Sequence, residues 1–296
     1  MNQRPAPFPI APLRLTLRSA GLVFPGYSGS LWHGGLGMML QRHFPATFRA
    51  LYGGQDDARP YALRAPAGER FPPGSRLTLD LKLFGDASQH LFACTQAIAL
   101  LGEAGIDPAG RFQLERASVL LPDGEALFFT ADDGLLQPPP LTDFSDWLPA
   151  GQAPRQIEVR LLTPLRIKEG GDLLRQAPDY GQLLHRLFGR LDQLAHVMGS
   201  QPPLAKGERA ALHDEARQVT RLAAEVRWQQ LDRRSARTRQ QMRFGGLQGE
   251  LRFAGEMTQT LPWLVAGQQV HIGGKTAFGF GAYQIHVDCE TGGSRG

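Results

Sequence analysis

A proline-rich stretch constrains this chain more than any other feature. Gln137-Pro138-Pro139-Pro140 is followed by Pro149 and Pro154. Prolines have no amide hydrogen to give to a sheet, so a run of them cannot lie in a central strand. The 296 residues are therefore expected to form two folding units, 1–150 and 151–296, each long enough to bury its own core.

Each unit alternates strand and helix patterns. In the first, Leu13-Arg14-Leu15-Thr16-Leu17 has the period of a half-buried strand, and the turn Pro25-Gly26-Tyr27-Ser28-Gly29-Ser30 precedes a helix. Ser30 is placed to cap that helix, which is expected from Leu31 to His43 with Pro45 as its stop. A strand over 77–84, a helix over 87–102 and a strand over 111–119 follow. In the second unit a strand over 156–163 leads to a helix over 180–198, where Leu184, Leu187, Phe188, Leu191 and Ala195 share a face. A second helix is expected over 207–228, then a strand over 243–253, a short helix over 258–266 and a strand over 278–287. Two tandem ferredoxin-like (RRM-like) βαββαβ domains account for this order, an α+β class in which helices cover one face of each sheet. Such sheets are also the RNA platforms of RRM domains.

The last strand is entered through His271-Ile272-Gly273-Gly274-Lys275-Thr276-Ala277-Phe278-Gly279-Phe280-Gly281. Backbone without Cβ atoms can lay its amides against phosphate. Gly273, Gly274, Lys275, Gly279 and Gly281 are therefore candidate contacts to an anionic polymer. Phe278 and Phe280 can stack on bases or fill the core, and His271 is either structural or an RNA contact. Gly274-Lys275-Thr276 also ends like a nucleotide-binding P-loop, but that motif needs a glycine where Gln269 stands and a helix after the threonine. An alternating apolar run follows instead, which excludes a P-loop.

Charge supports the same partner. Residues 1–150 hold 12 basic and 14 acidic side chains, and residues 151–296 hold 20 and 14. Arginine outnumbers lysine 28 to 4, and its planar fork suits phosphate and stacks on bases. A GC-rich genome produces the same bias, and a charge run is often only a solvated face. Six arginines nevertheless crowd between Arg227 and Arg243, directly before Phe244-Gly245-Gly246. Arg234, Arg237 and Arg239 are the candidate phosphate contacts there. Cys94 and Cys289 lack CxxC partners, and the eight histidines show no HxxxH or HExxH spacing, so neither a metal nor another cofactor is expected. No apolar run of about 18 residues suggests a membrane span, and a cytoplasmic protein is expected.

Several ordered segments resemble the CRISPR-associated endoribonucleases that cut precursor CRISPR RNA, members of the RAMP superfamily. The glycine-rich segment His271–Gly281 is similar to that family's terminal loop. Arg243-Phe244-Gly245-Gly246-Leu247-Gln248-Gly249 with Leu261-Pro262-Trp263-Leu264 resembles its preceding hairpin and helix. Leu161-Leu162-Thr163-Pro164-Leu165-Arg166 resembles the strand opening its second domain, and Trp32-His33-Gly34-Gly35-Leu36-Gly37 its first helix. One departure is that many relatives place the lysine between the glycines, whereas here it follows them as Gly273-Gly274-Lys275.

The resemblance implies metal-independent cleavage within repeats. A ribose 2′-hydroxyl attacks the adjacent phosphate, leaving a 2′,3′-cyclic phosphate and a 5′-hydroxyl. Such a reaction needs a base, an acid and cations. The family draws its catalytic residues from the first helix and the loop after it, where this chain has His33 and His43, and Tyr27 sits in the preceding turn. One of the two histidines is the expected general acid or base, with Tyr27 orienting the nucleophile. The implied partners are the precursor CRISPR RNA repeat and other CRISPR effector subunits. Two alternatives stay open: a non-catalytic RAMP subunit that binds guide RNA, and a generic tandem RRM-like RNA-binding protein.

Overall fold

The computed structural model describes residues 6–54, 58–234 and 241–287, with backbone alone for 232–234 and 241–244. Strand β1 (Pro9–Ser19) is central in the first sheet. It is followed by α1 (Gly29–His43), α2 (Pro45–Tyr52), β2 (Tyr61–Arg64), β3 (Arg76–Phe84), α3 (Leu91–Ala104), β4 (Phe112–Leu121) and β5 (Gly124–Thr130). The sheet runs β2-β3-β1-β4-β5, and every neighbouring pair is antiparallel. Gly134–Leu135 adds a short edge to β5, and Thr142–Asp143 pairs with the start of β1.

Side-chain alternation decides which face of this sheet is covered. Leu13, Leu15 and Leu17 of β1 stand opposite Leu81, Leu79 and Leu77 of β3, and all are buried. They share one core with Trp32, Leu36 and Leu40 of α1 and with Cys94, Ile98 and Leu101 of α3. Each fully buried leucine of this kind contributes about 1.5–3 kcal/mol relative to exposure.

The second unit comprises β6 (Gln156–Leu165), α4 (Tyr180–Met198), α5 (Ala210–Gln218), β7 (Thr220–Arg234), β8 (Gln241–Ala254), α6 (Leu261–Gly267) and β9 (Tyr283–Val287). Its sheet runs β7-β8-β6-β9. In both units the first strand lies between the third and the fourth, the ferredoxin-like order. Helix α4 is delimited by its own sequence. Asp179 Oδ1 accepts from the Gln182 amide at 2.6 Å, Gln182 Oε1 accepts from the Asp179 amide at 2.9 Å, and Gly199 ends the helix at φ 63°.

Four expectations need correction. Ser30 is not the cap of α1: the helix begins at Gly29, and the carbonyl of Ser28 accepts from the amides of Leu31 and Trp32. Pro45 does not leave a loop behind it but occupies the first turn of α2, where its missing amide costs nothing. The helix expected over 207–228 is helical only to Gln218. From Thr220 the chain pairs with β8, from Thr220↔Ala254 to Arg234↔Gln241, with one register shift between Arg221 and Ala223. The strand expected over 278–287 starts at Tyr283, because residues 276–278 form a tight 3-10 turn.

The units meet across the uncovered face of the first sheet. Phe8, Ile10, Ala62, Phe84 and Phe144 are buried together with Leu184, Leu187, Phe188 and Leu191 of α4. An aromatic chain runs from Phe8 to Phe144 (5.9 Å between centroids), Trp263 (6.0 Å) and Phe188 (5.9 Å). Lys82 of β3 donates through Nζ to the Gln268 carbonyl at 2.6 Å, so the contact is polar at one point and apolar around it.

Candidate functional site

The segment after α6 returns to the first unit and presses against the start of α1. A Cβ built on Gly29 would lie 2.0 Å from the Phe278 carbonyl oxygen, and one built on Gly279 would lie 2.3 Å from the Tyr27 hydroxyl. Both positions therefore require glycine for backbone to approach this closely, and Gly279 also holds φ 89°. The segment is fastened to β6: Gly274 N–H donates to the Arg166 carbonyl at 2.9 Å and Gly281 N–H to the Pro164 carbonyl at 3.0 Å.

His33 stands at this junction, half-buried on α1. Its ring centroid is 4.0 Å from that of Phe278 and 5.1 Å from that of Tyr52, and its Nδ1 lies 2.7 Å from the Tyr61 hydroxyl. Tyr52 donates to the His33 carbonyl at 2.8 Å. Burial pushes the Tyr61 phenol well above its usual pKa, with Tyr52 adding to the effect, so it is neutral at physiological pH. Tyr27 packs edge-on against Phe280 at 5.5 Å. Its hydroxyl is buried without a hydrogen-bond partner among the described residues, and burial raises its pKa.

The structure thus brings Tyr27 and His33 to one loop but not His43. His43 is the exposed last residue of α1. Ten residues of helix separate it from His33, about 15 Å along the axis at 1.5 Å per residue. Of the glycines, Gly274 is exposed, Gly273 half-buried, and Gly279 and Gly281 buried. Lys275 is half-buried with φ 64°. Arg237 and Arg239 lie outside the described residues, and for Arg234 the description covers only its backbone in β7.

His271 resolves to the structural alternative. It is buried, with Nδ1 3.1 Å from the Phe280 carbonyl. Burial and the nearby Lys82 hold its pKa well below the usual value. Phe280 fills the core, whereas Phe278 carries the His33 contact. Sequence reasoning missed Tyr52 and Tyr61, because neither α2 nor the four-residue β2 was anticipated.

A cleft of about 600 Å³ opens beside Tyr27 between the two units, lined among others by Arg64, Arg76, Thr163, Pro164, Gln229 and Gln248. Its arginines are held in ion pairs. Arg64 Nε donates to Asp80 at 2.9 Å and Arg76 Nε to Glu115 at 2.7 Å. Burial alone would raise the Asp80 pKa, but Arg64 and Arg14 outweigh it and keep the carboxyl below its ordinary value.

Residues 159–283 match the family model of the CRISPR-associated endoribonuclease Cas6. The second unit is thus similar to that family over most of its length. A further model, of an N-terminal domain, matches residues 45–141. Solved structures share the fold at low identity. A Cas6 product complex is 20% identical, with 94% of this chain and 100% of that one covered and a TM-score of 0.61. Thermus thermophilus Cas6 is 16% identical, with 94% and 99% covered and a TM-score of 0.61. A partial Cas6-RT-Cas1–Cas2 complex is 16% identical, with 97% of this chain and 47% of that one covered and a TM-score of 0.65. No curated protein matches the sequence. Among the described residues no helix is long and apolar enough to cross a membrane, and no group of three or more His, Cys, Asp or Glu is placed to hold a metal ion.

Proposed function

We propose that this protein cleaves precursor CRISPR RNA within its repeats, without a metal ion, to give guide RNAs ending in a 2′,3′-cyclic phosphate and downstream fragments starting with a 5′-hydroxyl. The observation that carries the proposal is the seat of His33, 4.0 Å from Phe278 of the glycine-rich loop and 2.7 Å from Tyr61. In this mechanism His33 is the general acid or base. Nδ1 faces the neutral Tyr61 hydroxyl, and Nε2 is the ring nitrogen that exchanges the proton with the RNA. Tyr27 supplies a phenol that stays protonated and, once the RNA offers an acceptor, orients the 2′-hydroxyl.

Gly273, Gly274 and Lys275 hold the backbone on one side, and Arg234, Arg237 and Arg239 add phosphate contacts. Each such contact steepens the salt dependence by about one counterion. The partners are the repeat RNA and other CRISPR subunits, as in the Cas6-RT-Cas1–Cas2 neighbour. The test is incubation of the purified protein with repeat RNA in EDTA, followed by end-group analysis. One discrete product with a cyclic phosphate supports the proposal; tight binding without a product would replace it with a non-catalytic RAMP subunit.

A further inference from the structure

The first residues of the glycine-rich loop border a second cavity, away from the His33 junction. It encloses about 290 Å³ between the loop, the end of β6 and one face of α4. Five cationic side chains line it: Arg166, Lys168, Arg186, Arg190 and Lys275. Among the described residues no carboxylate lines it. Arg166 is anchored by donating to the Gly245 carbonyl at 3.1 Å.

Arg190 sets this cavity apart from an ordinary basic surface. Only 3% of the residue is exposed, and it is held from one side, where Nε donates to the Val270 carbonyl at 3.4 Å. Its guanidinium lies 5.8 Å from the Phe84 ring centre, and Nη2 is buried without a hydrogen-bond partner among the described residues. Burial lowers its pKa to about 9, and no acid offsets the effect. A buried cation with an unused donor is unfavourable unless an anion completes it. Guanidinium forks and loop amides together are suited to tetrahedral oxyanions.

We propose that this cavity is a phosphate-binding subsite. Arg190 is its buried anchor, Lys168, Arg186 and Lys275 form its rim, and its occupant is a backbone phosphodiester of the bound RNA. The identity of the occupant rests on the RNA-processing reading above; the phosphate chemistry does not. The subsite would fix the RNA on the Gly273–Lys275 limb of the loop, while the Phe278–Phe280 limb meets α1.

Two measurements on the full chain test it. The first is thermal melting with inorganic phosphate against chloride at matched ionic strength. The wild type should melt higher in phosphate, Arg190→Met should lose that shift, and Lys168→Gln, a change at an exposed position, should reduce it. No phosphate shift in the wild type, or an equal shift in Arg190→Met, would overturn the subsite. The second is the salt dependence of repeat-RNA binding. Arg190→Met should weaken binding by about 10- to 100-fold at low salt and flatten the salt slope by about one. An unchanged slope alongside a lost phosphate shift would overturn RNA as the occupant. A wild type that responds to phosphate but never cleaves repeat RNA would refute the cleavage proposal and leave the subsite standing.

Discussion

Gly279→Ala is the sharpest perturbation of the contact between the loop and α1. The added methyl would sit 2.3 Å from the Tyr27 hydroxyl and 3.2 Å from the Leu63 carbonyl oxygen, at a φ of 89°. The left-handed backbone alone costs a side chain about 1–2 kcal/mol, and forcing an extra carbon into a packed site costs about 1–3 kcal/mol more. The sum, about 2–5 kcal/mol, is a large part of a domain's stability. Tyr27→Phe removes the atom that the methyl strikes and leaves Cζ at 3.4 Å. Because the Tyr27 hydroxyl is buried and unpartnered, this change alone should be neutral or stabilising by about 1 kcal/mol. The double variant should therefore recover the steric part of the loss and retain the backbone part. Urea unfolding of the four proteins gives the coupling directly, with about 1–3 kcal/mol expected. A coupling near zero, or a Gly279→Ala protein as stable as wild type, would refute this account of the junction. Cleavage separates the roles: Tyr27→Phe should be slower while no less stable.

Three further outcomes are expected. Lys82 is buried and its pKa is lowered to about 7, chiefly by burial and only partly restored by Asp80. The unfolded chain, with its lysine near 10.5, then binds more protons than the folded one between about pH 7 and 10. Stability should rise with pH across that window, by up to about 1.4 kcal/mol per unit, and Lys82→Met should flatten the rise in pH-dependent unfolding. Asp179→Ala removes the cap of α4 and should destabilise the protein by about 1 kcal/mol in chemical denaturation. Arg237→Gln or Arg239→Gln should weaken RNA binding evenly across sequences and lower the salt slope by about one in filter-binding titrations.

How much of this was legible in the sequence depends on whether a feature is set locally. Helix α4 was, because its box at Asp179 and Gln182, its apolar stripe and Gly199 all lie within it. The fold class followed from the order of such elements. Strand β7 was not legible: Leu222, Ala223, Ala224 and Glu225 favour a helix by themselves, and only pairing with β8 makes them extended. The four residues of β2 were too few to show a period, and with them Tyr61 was lost. The glycines were conspicuous, yet the need for Gly279 comes from Tyr27, 252 residues earlier. His33 and His43 looked equivalent in sequence until the fold set Phe278 against only one of them. Arg190 reads as one polar residue in an amphipathic helix; its burial and unused Nη2 follow from where the loop and Phe84 lie.

The central claim is that proton transfer occurs where α1 meets the glycine-rich loop, through His33. The most direct measurement is single-turnover cleavage of repeat RNA by His33→Ala at saturating protein, with RNA affinity measured alongside and imidazole added back. The rate should fall by about 100- to 10,000-fold while affinity stays near wild type, and imidazole should restore part of it. Cleavage at the wild-type rate by His33→Ala would contradict the claim outright.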